Sequence, residues 1–171
     1  GNSLLVNLSN SNNSTIALQH NSFSGPSKIF VQNANSFSNN SISIIFNSFA
    51  TMVGHNMPIS ISSIKGSSTH ISDNTISLFR STPVGGSPQQ VFGIRVTGSD
   101  HVYVHDNTII GNLSIGGLIY KVPTDFMRGI TLEQSTECNV NCNYVGNVDQ
   151  AIVFNGTCTN FAGAALREVV Y

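Results

Sequence analysis

The chain has 171 residues, enough for one domain with a substantial core and too few to suggest two, so residues 1–171 are read as a single unit. Charged residues make up 9%, and Asn, Ser, Thr and Gly stand where Lys and Glu usually do. A net charge of −1 gives no basic footprint for nucleic acid or an anionic membrane, no apolar run is long enough to insert in a bilayer, and no apolar leader follows a charged start.

From the N-terminus the chain is organised by short alternating segments. Leu4 and Val6 point one way and Leu5 the other; Ile16 and Leu18 follow in the same rhythm, then Asn21, with Phe23 two residues on. The second unit repeats this with Ile29/Val31, Ile42/Ile44, Asn47 and Phe49. The third has Ile59/Ile61, Thr69/Ile71, Asn74 and Ile76. The fourth has Ile94/Val96, Val102/Val104, Asn107 and Ile109, and the fifth Ile130/Leu132, Cys138/Val140, Asn143 and Val145. A sixth opens with Ile152/Phe154 and then departs from the rule, because Leu166 takes the late apolar place but Ala164 stands where the asparagine belongs.

A period of two is the mark of strands. The anchor asparagines are spaced by 26, 27, 33 and 36 residues, with no 3.6-residue periodicity and no hairpin turns inside a unit. That excludes a helical repeat and a propeller. Two short strands per unit fit an all-β, right-handed parallel β-helix solenoid of about six coils, stacked at about 4.8 Å. The anchor then has a physical role, since its amide donates to one neighbouring coil and accepts from the other. The wider spacings locate inserted loops at residues 77–91 and 110–127.

The rhythm is clearest in "GIRVTGSDHVYVHDNTI" and "GITLEQSTECNVNCNYV". It resembles the parallel β-helix repeat proteins of the pectate-lyase-like superfamily, and "CNVNCNYVGNVDQAIVFNGTCTNF" looks like the large secreted or surface β-helix proteins of environmental bacteria. The resemblance covers nearly the whole chain and speaks to fold more than activity, because this architecture carries lyases, hydrolases, epimerases and non-catalytic adhesins. It implies a site on the outside of one sheet, with clustered carboxylates as calcium ligands or acid–base groups and a cation facing the sugar carboxylate.

The outward columns of the first strand read Leu5, Phe30, Ser60, Arg95, Thr131, Val153 and Asn7, Gln32, Ser62, Thr97, Glu133, Asn155. Only Arg95 and Glu133 are charged there, a diagonal pair of the kind that forms a surface ion pair. The paired carboxylates of glycoside hydrolysis are missing from these columns. On the second strand, His70, Tyr103 and His105 share the outward face, either as a partly aromatic patch for a sugar ring or as ordinary solvent-facing residues. His101 and His105, four apart on a strand, are too distant to share one metal. Asp73 and Asp106 precede successive anchors and either cap their turns or meet a cation; no cofactor or metal is expected, and calcium at these two is the one exception left open. Phosphate loops, "HExxH" and "GxSxG" are absent from the sequence.

Cys138 and Cys158 fall on adjacent coils, placed either for a bridge or as buried thiols, with Cys142 left over. A bridge would mean an oxidising compartment. Strand-like sequence runs close to both ends, so the expectation is a segment of a longer extracellular or cell-surface solenoid whose neighbours include further coils of the same protein. Two functions follow. The favoured one is a non-catalytic segment in adhesion, scaffolding or contact with a polysaccharide or cell-surface glycan. The alternative is a polysaccharide lyase, epimerase or glycoside hydrolase whose cluster lies in the loops or in other coils. The loops carry Arg80, Tyr120 and Lys121, and those three are the candidate glycan contacts beside His70, Tyr103 and His105.

Overall fold

In the computed structural model the chain is a parallel β-helix. The structure describes residues 3–9, 11–25, 27–32, 39–53, 57–79, 90–112, 114–115, 118–119, 126–160 and 162. The first coil runs through β1 (Ser3–Asn7), β2 (Thr15–Gln19) and β3 (Ser22–Ser24), and the second through β4 (Lys28–Gln32), β5 (Ser41–Ile45) and β6 (Ser48–Val53). The third has β7 (Ile59–Ser62), β8 (Ser68–Ser72) and β9 (Thr75–Phe79); the fourth has β10 (Gln90–Thr97), β11 (Val102–His105) and β12 (Thr108–Asn112). A short antiparallel pair, β13 (Ser114–Ile115) and β14 (Leu118–Ile119), precedes the fifth coil of β15 (Phe126–Glu133), β16 (Asn139–Asn141) and β17 (Tyr144–Gly146). β18 (Gln150–Asn155) begins the sixth.

Strands in equivalent places stack into three parallel sheets. The first has the order β1-β4-β7-β10-β15-β18, the second β16-β11-β8-β5-β2 and the third β17-β12-β9-β6-β3. Each of the first five coils therefore carries three strands where the alternation suggested two. The reason is one residue: His20, Phe46, Asp73, Asp106 and Cys142, each just before an anchor asparagine, have φ between 53° and 56°. A single left-handed residue turns the chain, so what reads as one alternating run becomes two strands in different sheets.

The register puts like on like. Ile29, Ile59, Ile94 and Ile130 align in the first sheet and are fully buried, as are Ile42 and Ile44 in the second and Ile76 and Ile109 in the third. Each such side chain contributes about 1.5–3 kcal/mol by leaving water. Inside, the Phe23 and Phe49 rings stack at 4.7 Å. The lumen is less closed at the first coil, where Val6, Ile16, Leu18 and Phe23 are only partly buried.

Two ladders of polar side chains hold the corners. Asn47, Asn74 and Asn107 are buried, and each Oδ1 accepts both the backbone N–H and the side-chain amide of the anchor one coil before, at 2.9–3.1 Å. Each amide also reaches a carbonyl of that previous coil, Asn74 to Ile44 and Asn107 to Ile71, both at 2.8 Å. At the corner between the first and second sheets hydroxyls do similar work: Ile64 N donates to Ser99 Oγ at 3.1 Å, and Ser99 N to Ser135 Oγ at 3.3 Å.

The inserted segments are shorter between strands than the spacing implied. β9 continues to Phe79 because Ser77, Leu78 and Phe79 pair with Ile110, Gly111 and Asn112 of β12. Most of what remains of both insertions, Arg80, Tyr120 and Lys121 included, lies outside the described residues.

Candidate functional site

On the outer face of the first sheet, alternation turns Phe30, Ser60 and Arg95 away from the lumen in one column and Ser62, Thr97 and Glu133 in the next. The diagonal pair read from sequence is formed. Arg95 Nη2 lies 2.6 Å from Glu133 Oε2 and Nε 3.1 Å from the same oxygen, which also accepts from Thr97 Oγ1 at 3.3 Å. Beside this pair the surface sinks into a groove of about 300 Å³, lined by Lys28, Phe30, Met57, Ser60, Ser62, Arg95 and Thr97. A second hollow of about 310 Å³ continues past Glu133 to Asn155.

The column reading missed two cations here. Lys28 opens β4 one position before the alternating pair, and its ammonium sits 5.6 Å from the Phe30 ring centre. Arg128 enters because β15 begins earlier than the apolar pair Ile130/Leu132 suggests. Its guanidinium faces the Phe92 ring at 5.7 Å, opposite the residue with which it pairs. The visible signal was the basic character of both residues next to a strand start. Farther along the outer column, Thr131 and Val153 are buried although register turns them outward, and Thr131 Oγ1 has no hydrogen-bond partner among the described residues.

On the second sheet the structure brings His70, Tyr103 and His105 together. The His70 and Tyr103 rings are parallel within 2° with centres 4.5 Å apart, and His105 meets His70 edge-on at 6.3 Å. Parallel rings at that distance cannot lie side by side in one plane, so they overlap, each covering one face of the other. The patch is therefore a stack of rings. Ser68 Oγ lies 3.1 Å from His70 Nε2, and burial, then the neighbouring His105, lowers the His70 pKa and favours the neutral ring. Sequence reasoning considered His101 only as a partner for His105; it lies instead between two carboxylates, 3.1 Å from Asp100 and 2.9 Å from Glu137 on the next coil.

Asp73 and Asp106 do occupy equivalent exposed turns on adjacent coils, and Asp106 turns toward His105 Nδ1 at 2.8 Å. Among the described residues no group of three or more His, Cys, Asp or Glu is placed to hold a metal ion. Cys138 and Cys158 stand as separate buried thiols, not as the bridge that their adjacent coils allowed. The backbone explains the offset: Cys138 N bonds Thr159 O and Thr159 N bonds Ser135 O, so Cys158 faces the turn before Cys138. Each thiol points to a carbonyl, Cys138 to Thr136 at 3.2 Å and Cys158 to Asn155 at 3.4 Å. Burial pushes the Cys138 thiol up to about 11, while Cys142 is exposed.

No protein-family model, curated protein or solved structure matches this chain.

Proposed function

We propose that the chain is a non-catalytic glycan-contact segment of a secreted or cell-surface β-helix protein, of the pectate-lyase-like kind that its repeat resembles. The observation that carries this reading is the groove on the first sheet, where an aromatic ring, a thioether and three hydroxyls from successive coils line one depression. Sugars are bound by that combination, apolar surface against the ring's C–H face and hydroxyls for its O–H groups. The repeat helps, because successive coils offer equivalent groups at about 4.8 Å intervals to a ligand that is itself a repeat. Support for a binding rather than a catalytic role comes from Glu133, the one carboxylate lining either hollow among the described residues, which is engaged by Arg95 and Thr97.

The test is a polysaccharide panel probed with the chain, followed by assays for new reducing ends and for unsaturated products. Binding that is lost in Phe30→Ser together with Ser62→Ala, with no product over long incubation, is the expected result. Release of cleaved sugar would replace this reading with that of a lyase or hydrolase, and binding untouched by the groove variants would move the site elsewhere.

A further inference from the structure

One of the groove's two cations, Arg95, is already balanced by a carboxylate. Arg95 gives two charge-assisted bonds to a single Glu133 oxygen, its Nη1 reaches Met57 Sδ at 3.6 Å, and its guanidinium carbon lies 5.1 Å from the Phe92 ring centre. The pair is half sheltered, with side-chain exposures of 32% and 19%. Of the groove's cations, Lys28 is the one without a carboxylate partner among the described residues, and its ammonium faces Phe30.

A polyuronate brings one negative charge per ring. To take the Nε–Nη2 edge of Arg95 a sugar carboxylate must displace Glu133, and at the remaining Nη1 it stands beside Glu133 as a like charge. A neutral sugar meets no such obstacle, since Ser60 and Ser62 offer hydroxyls and Phe30 an apolar ring without disturbing the ion pair. We infer that the groove selects uncharged glycans and that Glu133 is the specificity-determining residue, occupying Arg95 against acidic sugars. This rests on the glycan-binding reading above and names the ligand class for it.

The experiment uses matched pairs of polymers, each a polyuronate and its carboxyl-reduced neutral counterpart, titrated against the wild-type chain and Glu133→Gln. The wild type should bind the neutral member of at least one pair about tenfold or more tightly than the acidic member, with little dependence on salt. Glu133→Gln frees Arg95 and should raise affinity for the acidic member about tenfold relative to the neutral one. A wild type that prefers the polyuronate, or whose binding collapses with added salt, overturns the inference while keeping the glycan reading. An unchanged preference in Glu133→Gln removes Glu133 from the role. Failure of every polymer in every pair sinks the glycan reading itself. Circular dichroism checks the fold of the variant, and if it is lost, wild-type preference and salt dependence still decide.

Discussion

Along β7, β10 and β15 one backbone carries two unlike sequences. Facing inward are Ile59, Ile94 and Ile130, then Ile61, Val96 and Leu132, all fully buried; facing outward are Ser60, Arg95 and Thr131, then Ser62, Thr97 and Glu133. An inner side chain must fill a lumen of fixed width and match the residue stacked above and below it, so a change of even one methylene is felt. An outer side chain needs only to tolerate its neighbours. Structural and functional information thus alternate residue by residue, and substitutions on the two faces should fail in different ways.

The sharpest break of the inner rule is Asn74→Leu. It removes the acceptor of Asn47 N and Nδ2 and the donor to Ile44 O, in a place where water cannot substitute. The expected loss is about 4 kcal/mol, two or more buried groups at about 1–3 kcal/mol each. Asn21→Leu, at the exposed first rung, should cost about 1 kcal/mol or less, because the Asn47 Oδ1 it leaves behind still accepts the backbone N–H. Urea titration of the two variants measures the difference, and equal losses would mean that the ladder is not what holds the corner.

Gly129 tests the same constraint at the backbone. A methyl group there would run into Val145 and would stand 2.6 Å from the Ala151 carbonyl oxygen. Gly129→Ala should destabilise by about 2–3 kcal/mol through overpacking, read as a lower urea midpoint at unchanged slope.

The inner columns were legible in sequence because they are constrained. Ile16, Ile42, Thr69, Val102 and Cys138 fall in one column by counting alone, and the recurrence of asparagine at each turn named its own hydrogen-bond partners. The third sheet was not legible. Its start depends on a left-handed residue, and His20, Phe46, Asp73, Asp106 and Cys142 share no side-chain chemistry that announces that conformation. The groove was half legible: Arg95 and Glu133 emerged from register, whereas Lys28 and Met57 join it through strand starts that an apolar pattern does not mark. The stacking of His70 on Tyr103 followed from register too, but ring orientation did not.

Thr69 is the inner rule's own exception. Its hydroxyl sits in an apolar column, fully buried and without a hydrogen-bond partner among the described residues. Val has nearly the same shape and no polar atom to desolvate, so Thr69→Val should stabilise the chain by about 1 kcal/mol or more. A loss of stability in that variant would show that the hydroxyl has a partner after all.

The smallest effect belongs to the outer face and concerns pH. His70 has its pKa lowered from the ordinary 6.5, first by burial and then by the nearby His105, so the folded chain holds this ring neutral more readily than the unfolded chain does. The unfolded state then binds more protons in the window just below 6.5, and stability rises with pH where that is so. The His70 contribution is therefore fully present above the unfolded value and is lost as pH falls through the folded one. His70→Phe keeps an aromatic ring against Tyr103 and removes the titration. Urea midpoints measured for both proteins at and below that pH should fall more steeply with acid in the wild type than in the variant. Parallel curves would mean that the His70 ring is as free to take a proton in the folded solenoid as in the unfolded chain.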